Sequence, residues 1–343
     1  MKILIDHNEP FLLTHGGFQI LIEKTAQALR MEGLDVEYLR WWDPEQKGDV
    51  IHFFGRANPG SIHFAHGKGI KYVMHELLTS QGSRSKTQLR LQGLLNKVLR
   101  RSLPSSFRLP LRWDSYRMAD AILASTGWEA WIMRTLFDAP ASRLHIIPTG
   151  ADDVFFKSSA GRAPVRNSPL VCVATITERK RVLELARAAA QAGVPLTFIG
   201  KPYSENDPYY LKFLDVVKKS DGIVSYRGAI GDHASLAPVL QQARGFVLLS
   251  TMETQSLAAM EAAAAGCPLL LSDLPWARDT FGDTATYLRP PQNTGDFSSS
   301  LPGALRAFND NSSRHASPPP PATWSEVARQ LVRIYKQLLI RDC

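Results

Sequence analysis

The chain of 343 residues alternates short apolar runs with longer stretches in which apolar residues recur every three or four positions. The runs end in polar or glycine-containing loops, as buried strands do. The stretches between them, such as 19–32 with its apolar stripe, predict amphipathic helices. The predicted strands are 2–5, 36–39, 49–54, 70–74, 119–125, 143–150, 170–174, 196–200, 223–228, 246–249 and 269–271. Strands and helices in this alternation predict an α/β protein with parallel sheets.

The segment 245–273 shows the repeating unit most clearly. An apolar run is followed by a polar loop, an alanine-rich stretch and a second apolar run. Ser256 is a suitable N-cap, Gly266 suits the left-handed residue just past a helix end, and Pro268 prevents any continuation. We therefore predict strand, loop, helix and strand, with the helix at about 257–265.

Two acids frame the start of this helix. Glu253 lies in the loop at the carboxyl end of the predicted strand, and Glu261 lies within the helix. Ligands of open α/β sheets bind at that end, where a helix N-terminus offers free N–H groups to an anion. The amides of Ser256 and Leu257 are thus candidates to bind phosphate. On spacing alone, an ordinary crossover unit with two surface acids is the favoured alternative.

The order of Glu253, seven residues, Glu261, then Gly266, Pro268 and Ser272-Asp273 resembles the E-x7-E signature of retaining GT-B glycosyltransferases, especially family 4. The resemblance implies that Glu253 faces the donor sugar, that Glu261 holds the nucleotide ribose, and that the intervening amides at Ser256 and Leu257 meet the diphosphate. It also implies two Rossmann-like domains facing a central cleft, with a C-terminal helix that crosses back to the N-terminal domain.

The same resemblance marks two places in the first half of the chain. Gly16 and Gly17 lie between the first strand and the first helix, where a glycine loop in the family approaches the donor diphosphate and the acceptor. A plain tight turn is the alternative. His75 follows a predicted strand, and the resemblance implies that it contacts the donor sugar. A lone histidine at such a place is otherwise more often structural.

The loop before the helix predicted at 182–192 carries three consecutive cations, Arg179, Lys180 and Arg181. Lys180 matches the lysine that holds the leaving diphosphate in the family. The family arginine stands five residues earlier, where this chain has Thr175, so Arg179 or Arg181 supplies the second charge, or one cation suffices. Cations are unfavourable near a helix N-terminus unless an anion offsets them, which argues against merely solvated charges.

The predicted strand at 223–228 resembles the family segment whose carboxyl end flanks the nucleobase. Arg227, Ala229 and Ile230 are therefore candidates to line the base pocket. The sequence does not choose between UDP- and GDP-linked sugars. Because no Asp-x-Asp triplet occurs, we expect no metal-bound diphosphate and no cofactor besides the substrate nucleotide.

The length of the chain exceeds what one hydrophobic core usually fills, so two domains are expected. We predict an N-terminal Rossmann-like acceptor domain at 1–160 and a C-terminal Rossmann-like nucleotide-sugar domain at 165–322. A helix at 323–343 is predicted to pack back on the first domain. The polar segment 158–169, with proline and glycine, is the predicted linker.

The net charge is +8, and the segment 84–113 contains eight cations and no acid. Leucines and valine among these cations predict an amphipathic helix. One interpretation is a helix lying on an anionic membrane, and the other is a solvated helix face over the core of the first domain. The lipid-linked acceptors of the resembled family favour the membrane. A nucleic-acid surface is disfavoured, since no aromatic series alternates with the cations.

Cysteine usage and the termini bear on the compartment. Cys172, Cys267 and Cys343 are scattered and odd in number, which indicates a reducing compartment and no metal site. The apolar run after Lys2 is too short for a secretory signal, and the longest apolar stretch, 262–271, is too short to span a bilayer. We expect a cytoplasmic protein, with peripheral attachment to the inner face of the membrane as an option.

These features predict a retaining, metal-independent glycosyltransferase that moves a sugar from a nucleotide-diphosphate sugar to a glycan or lipid-linked acceptor, in cell-surface polysaccharide or glycoconjugate synthesis. Glu253, His75 and Lys180 are the expected catalytic residues. The alternatives are a nucleotide-sugar epimerase or phosphorylase of the same fold, and a non-catalytic sugar-binding protein.

Overall fold

The computed structural model describes residues 1–12, 16–104, 107, 109–156, 168–289, 294–311 and 316–340. Most of the predicted linker at 158–169 lies outside these residues. The chain divides into two compact units, one made of Met1–Gly150 with Ala322–Cys343 and the other of Ala151–Pro321. The division falls earlier than the predicted domain boundary at residue 160.

The first unit is built on a sheet of parallel strands in the order β2-β1-β3-β4-β5-β6. These strands are β1 (Lys2–His7), β2 (Asp35–Tyr38), β3 (Val50–Phe54), β4 (Lys71–His75), β5 (Ala121–Ala124) and β6 (Leu144–Ile146). The pairing register aligns His7, Phe54, His75 and Leu123 across four neighbouring strands. The carboxyl ends of these strands therefore meet at one edge of the sheet, where ligands of open α/β sheets bind.

Helices of the first unit connect these strands. They are α1 (Gly17–Met31), α2 (Pro59–Gly67), α3 (Thr79–Gly82), α4 (Lys86–Ser102), α5 (Ser115–Met118) and α6 (Gly127–Phe137). The stripe predicted for α1 is buried at Leu21 and Leu29. Ser85 and Gln88 form a capping box that satisfies free N–H groups at the start of α4.

The second unit repeats this architecture with the strand order β12-β11-β10-β7-β8-β9, again all parallel. Its strands are β7 (Leu170–Val173), β8 (Leu196–Ile199), β9 (Val224–Tyr226), β10 (Gly245–Leu248), β11 (Leu269–Ser272) and β12 (Thr286–Leu288). Its helices are α7 (Asp153–Phe156), α8 (Val182–Ala192), α9 (Pro208–Lys219), α10 (His233–Gln242), α11 (Leu257–Ala264), α12 (Pro275–Phe281) and α13 (Thr294–Asp310).

The central segment folds as predicted, with β10, a loop, α11 and β11 in succession. Ser256 caps α11, and Gly266 has φ of 70°, in the left-handed region. By contrast, α13 was not predicted, and Pro302 inside it is a residue that ordinarily breaks helices.

The last helix, α14 (Trp324–Ile340), belongs to the first unit and packs on α1, as predicted for a helix crossing back. The hydroxyl oxygen of Tyr335 on α14 lies 2.7 Å from Nδ1 of the buried His52 on β3. Trp324 packs directly against Gly150, because a Cβ added to Gly150 would lie only 2.8 Å from the Trp324 ring. None of the described helices combines the length and the hydropathy needed to cross a bilayer.

The contact between α4 and the end of α6 requires the two backbones to approach closely. A Cβ added to the buried Gly93 would lie 2.6 Å from the carbonyl oxygen of Thr135. Asn96 Nδ2 donates to the Leu136 carbonyl at 3.1 Å, and Arg100 Nη2 donates to the Phe137 carbonyl at 2.7 Å. The side chains of α4 thus satisfy carbonyls at the end of α6, which have no intrahelical partners.

We expect Gly93→Ala to destabilise the first unit by about 1–3 kcal/mol, because the added methyl group must push the two helices apart. The measurement is the midpoint of chemical denaturation, followed by circular dichroism. Gly303→Ala is the matched control, since Gly303 also lies inside a helix but has open space around it. That control should gain about 0.5–1 kcal/mol. Equal shifts in both variants would contradict the close contact.

Candidate functional site

A buried ion-pair group joins two loops at the carboxyl edge of the second sheet. Lys180 Nζ donates to Glu253 Oε1, and Arg179 Nη1 lies 3.2 Å from the same oxygen. Arg179 Nη1 also donates to the Met252 carbonyl at 2.9 Å. The loops meet because β7, which precedes the cations, is hydrogen-bonded to β10, which precedes Glu253.

Backbone contacts hold the two loops together independently of these side chains. The N–H of Thr251 donates to the Arg179 carbonyl at 2.8 Å. Residues Glu178–Lys180 form a 3₁₀ turn, and Arg181 follows with φ of 52° before α8 begins. Burial lowers the pKa of Arg181, which lies near Glu184 and Tyr209. Of the two arginines considered for the missing family charge, Arg179 is therefore the one that contacts Glu253.

The carboxylate of Glu253 is ionised although its residue is only 7% exposed. Burial alone would raise its pKa, but the charges of Lys180 and Arg179 and the Lys180 hydrogen bond outweigh burial, and the pKa of Glu253 is lowered. A carboxylate compensated by two cations is held in its charged form across the physiological range. The loop thus presents one anionic and two cationic groups in front of α11.

The N-terminus of α11 lies directly after this loop. Ser256 is its N-cap, and its Oγ accepts a hydrogen bond from the Ala259 N–H at 3.4 Å. The backbone N–H groups of Ser256 and Leu257 lie at the start of the first turn, where N–H groups have no intrahelical acceptor. The arrangement therefore offers N–H groups and a positive dipole beside Lys180.

Glu261, about one turn into α11, contacts a histidine that the sequence did not indicate. His233, the first residue of α10, has its Nε2 3.6 Å from Glu261 Oε1. Its Nδ1 donates to the carboxylate of Asp152, and the Phe155 ring packs against it with centroids 5.2 Å apart. Asp152, His233 and Glu261 thus lie next to one another in a row, and the Glu261 residue is only 7% exposed.

No local pattern identified His233 as a neighbour of Asp152 and Glu261. His233 follows an N-cap aspartate at a helix start, which is an ordinary position for a polar residue, and Asp152 follows a strand far away in the sequence. Only the packing of α10 and α7 against α11 brings the three residues together.

The loop after β9 carries the residues predicted to flank a nucleobase. Arg227 and Ala229 are exposed, whereas Ile230 is half-buried and packs against the core of the second unit. The N–H of Gly200 donates to the Gly228 carbonyl at 2.8 Å, which ties this loop to the loop after β8. The three residues lie at the carboxyl edge of the same sheet as Glu253.

Two of the predicted site regions belong to the first unit. Gly16 has φ of 129°, a conformation that favours glycine, and Gly17 is the first residue of α1. The neighbouring His15 lies outside the described residues. Gly16 and Gly17 therefore present backbone without side chains at the start of α1.

His75, the last residue of β4, is only 4% exposed. Neither of its ring nitrogens has a hydrogen-bond partner among the described residues. Burial lowers the pKa of His75 to about 4, so the ring is neutral at pH 7. It stacks with His52, with ring centroids 5.8 Å apart. A neutral imidazole with two unsatisfied nitrogens is suited to exchange hydrogen bonds with a hydroxyl group.

An ion-pair network fixes the chain immediately after His75. Arg56 Nη2 lies 2.9 Å from Glu76 Oε1, and the hydroxyl of the buried Tyr116 also donates to Glu76. The Arg56 guanidinium stacks on the Phe137 ring at 4.3 Å. Glu76, which was not among the predicted site residues, therefore anchors the loop that follows His75.

The part of the chain that is described contains no cluster of metal-ligating side chains. No three His, Cys, Asp or Glu side chains there are arranged to hold a metal ion. Cys172 and Cys267 are free and buried, and burial raises the pKa of Cys172 to about 12. Cys343 lies outside the described residues.

Residues 168–306, most of the second unit, match the family model described as Glycosyl transferases group 1. The matched range includes Arg179, Lys180, His233, Glu253 and Glu261. The group around Glu253 thus lies inside the region that resembles this family of transferases.

Among curated proteins, the chain is 28% identical over 243 residues to the MMP α-(1→4)-mannosyltransferase of Mycolicibacterium hassiacum. The match covers 66% of this chain and 56% of the relative, so it spans little more than half of that protein's length.

Solved structures match over nearly the whole chain. A sucrose-phosphate synthase from Thermosynechococcus elongatus has a TM-score of 0.66 at 17% identity and covers 99% of both chains. Anabaena Alr3699/HepE in complex with UDP has a TM-score of 0.65 at 16% identity and covers 98% of both chains. The predicted α/β fold is confirmed, and it is that of the GT-B glycosyltransferases.

We expect Glu253→Gln to destabilise the protein by about 2 kcal/mol or more at neutral pH, because it leaves Lys180 and Arg179 without their counter-ion. The folded pKa of Glu253 lies below its unfolded value, so this stabilisation is fully present above about pH 4.5 and is lost as the pH falls further. The melting temperatures of wild type and variant should therefore converge as the pH falls below the lowered pKa of Glu253.

The exposed Glu205→Gln is the control for a change of charge without an ion-pair group. A constant gap between wild type and Glu253→Gln across this pH range would contradict the lowered pKa.

Proposed function

We propose that this protein is a retaining family 4 glycosyltransferase that transfers a sugar from a UDP- or GDP-linked donor to a glycan or lipid-linked acceptor. The observation that carries the proposal is the group formed by Glu253, Lys180 and Arg179 in front of α11, whose own Glu261 lies about one turn into the helix. The group lies within the region that matches a glycosyltransferase family. The named mannosyltransferase relative supports sugar transfer over epimerisation or phosphorolysis.

The donor diphosphate is the proposed partner of the cations. Lys180, Arg179 and the amides of Ser256 and Leu257 provide positive charge and N–H donors, and the Gly16-Gly17 loop adds backbone amides. Without a ligand, Glu253 neutralises the two cations. A bound diphosphate takes over that role, since its own charge attracts them, and the oxygens of Glu253 become available to the hydroxyl groups of the donor sugar.

The remaining predicted residues orient the donor. His75, neutral because its pKa is about 4, exchanges hydrogen bonds with a sugar hydroxyl. Glu261 accepts hydrogen bonds from the ribose hydroxyls, and the Asp152–His233 pair holds its carboxylate in place. Arg227, Ala229 and Ile230 flank the base. Orientation of this kind lowers the entropy that the reaction must lose in its transition state.

Transfer with retention requires attack on the face that the diphosphate leaves. In the proposed step, the bond from the anomeric carbon to the diphosphate oxygen breaks and its electron pair stays on the diphosphate. The acceptor oxygen bonds to the same face, and its proton passes to the departing phosphate oxygen. Double displacement would require a carboxylate nucleophile about 5 Å from a second acid. In the proposed site Glu253 binds the hydroxyl groups of the donor sugar and Glu261 binds the ribose, so no such pair of carboxylates flanks the anomeric carbon, which favours the same-face route without a metal ion.

The acceptor and the cellular setting extend the proposal. A glycan or lipid-linked acceptor suits synthesis of cell-surface polysaccharide or glycoconjugate, carried out at the cytoplasmic face of the membrane. The segment 84–113, with eight cations and no acid, supports attachment to an anionic surface.

We expect UDP or GDP to raise the melting temperature, with a stabilisation of about 2.7 kcal/mol at a hundred times the Kd. Lys180→Ala should weaken the binding of the nucleoside diphosphate by about tenfold to a hundredfold, since a charge-assisted contact to phosphate is lost. Binding of the corresponding nucleoside should not change. Isothermal titration calorimetry measures both constants, and the exposed Lys218→Ala is the matched control.

If UDP, GDP and ADP all fail to stabilise the protein, the proposed donor class is wrong. If Lys180→Ala weakens nucleoside and nucleoside diphosphate equally, the lysine acts on the fold instead of on phosphate.

We expect wild type to bind the preferred nucleoside diphosphate at least about tenfold more tightly than its 2′,3′-dideoxy analogue, because Glu261 accepts hydrogen bonds from the ribose hydroxyls. Glu261→Gln and His233→Ala should both reduce this ratio, the first by removing the acceptor charge and the second by releasing the carboxylate. His63→Ala, at an exposed histidine of the first unit, is the control.

Two results separate the roles of these residues. Equal affinity of wild type for both nucleotides would exclude Glu261 as the ribose ligand. A normal ratio in His233→Ala, with a reduced ratio in Glu261→Gln, would leave Glu261 in place and remove the role of His233.

A further inference from the structure

Helix α4 has two apolar faces, of which only one is covered. Leu89 and Gly93 are buried on the side that clasps α6. A second set lies on another side at positions i, i+3, i+4 and i+7, and its side chains are 57–71% exposed. This set, the α4 stripe, consists of Leu91, Leu94, Leu95 and Val98. Single exposed leucines are common on protein surfaces, but a continuous stripe of four on one helix marks an interaction surface.

Cations border the α4 stripe. Arg90, Lys97 and Arg101 recur at i, i+7 and i+11, which places them along one side of the helix next to the stripe, and all three are exposed. No acid occurs between Arg84 and Trp113 to neutralise them. The same helix thus presents an aliphatic stripe edged by positive charge.

A groove of about 700 Å³ lies beside the stripe, between α4 and the end of α6. Arg90 and Lys97 line it from α4, and Arg134 and Trp131 line it from α6. Its one acidic lining residue, Asp138, is already paired with Arg117, which holds the pKa of that carboxyl below its usual range. The groove therefore carries excess positive charge.

Leu94 belongs both to the stripe and to the groove lining. The apolar surface therefore runs without interruption into the cationic groove. Trp131 stacks on Trp128 with centroids 4.9 Å apart, which provides a rigid aromatic wall. An aliphatic surface that leads into a cationic pocket with an aromatic wall is complementary to an anionic amphiphile, in which an apolar chain is joined to a negatively charged head.

We propose that the α4 stripe inserts into the hydrocarbon edge of a bilayer while the groove between α4 and α6 binds the phosphate headgroup of an anionic lipid. This deepens the membrane attachment in the proposed function by naming the site and its ligand class. Burial of aliphatic side chains contributes the apolar part of the binding free energy, and each cation near an anionic surface adds to it.

A second copy of this chain fits the surface less well. A two-fold interface places the same patch on both partners, so stripe against stripe would set the cations bordering each one near those of the other. With no acid in the segment, such a contact would be repulsive. An anionic membrane satisfies both the stripe and the cations.

The test is co-sedimentation with phosphatidylcholine vesicles that contain one-third phosphatidylglycerol, against vesicles of phosphatidylcholine alone. No sugar nucleotide is present, so failure here says nothing about donor binding, which calorimetry measures separately. Wild type should bind the anionic vesicles and not the neutral ones. High salt should weaken the binding, since it screens the cations.

Two double variants test the two parts of the site. R90A/K97A should weaken binding to the anionic vesicles by about thirtyfold, because two basic residues near the surface are lost. L94E/L95E should weaken it at least as much, because charge replaces inserted apolar surface. The matched controls lie on α9, where Leu211 is 53% exposed and Lys212 and Lys218 are exposed. L211E and K212A/K218A should bind like wild type.

Binding of wild type to neither vesicle, or equal binding by R90A/K97A and K212A/K218A, would overturn the proposal. Analytical ultracentrifugation of the same samples separates the alternative partner. If wild type is a dimer and L94E/L95E a monomer whose vesicle binding is unchanged, the α4 stripe is a self-association surface and not a lipid site.

Discussion

The second unit depends on one buried carboxylate shared by two cations. Glu253 follows β10, while Lys180 and Arg179 follow β7, and the two strands are neighbours in the sheet. Glu253 and Lys180 can be placed at low exposure there because each offsets the desolvation of the other, and the more exposed Arg179 adds a second positive charge beside Glu253. The cations immediately precede α8, where the helix dipole would otherwise repel them, and Glu253 removes that penalty. In the proposed function, the same two cations bind the donor diphosphate.

The position of Glu261 follows from a different constraint. It belongs to α11, a short helix rich in small residues that connects β10 to β11 and packs on both strands. The direction of its side chain is set from outside the helix by His233, and His233 is set by Asp152. Glu253 and Glu261 therefore differ in their partners, since Glu253 is paired with two cations and Glu261 lies beside a histidine that is itself bound by Asp152.

Helix α4 shows how a single sequence pattern serves two surfaces. Its buried side combines Leu89 with Gly93, which allows close approach, and Asn96, which donates to a carbonyl of α6. Its leucines point mostly elsewhere. The two sequence interpretations, a cover for the core and a surface for a membrane, were posed as alternatives, whereas the helix does pack on the first unit and also leaves an apolar stripe exposed.

The sequence by itself determined the local elements and the motif. The ends of α8 and α11 follow from residues within a turn of them, because caps, glycines and prolines act over a few positions. It also placed Glu253 before α11 and Glu261 within it. Elements without such signals were missed, such as α13 with its internal proline. Only the tertiary structure decided that Arg179 contacts Glu253, that His233 and Asp152 hold Glu261, and which side of α4 is covered. These contacts join residues distant in sequence, and they depend on strand order and helix packing, which local periodicity does not encode.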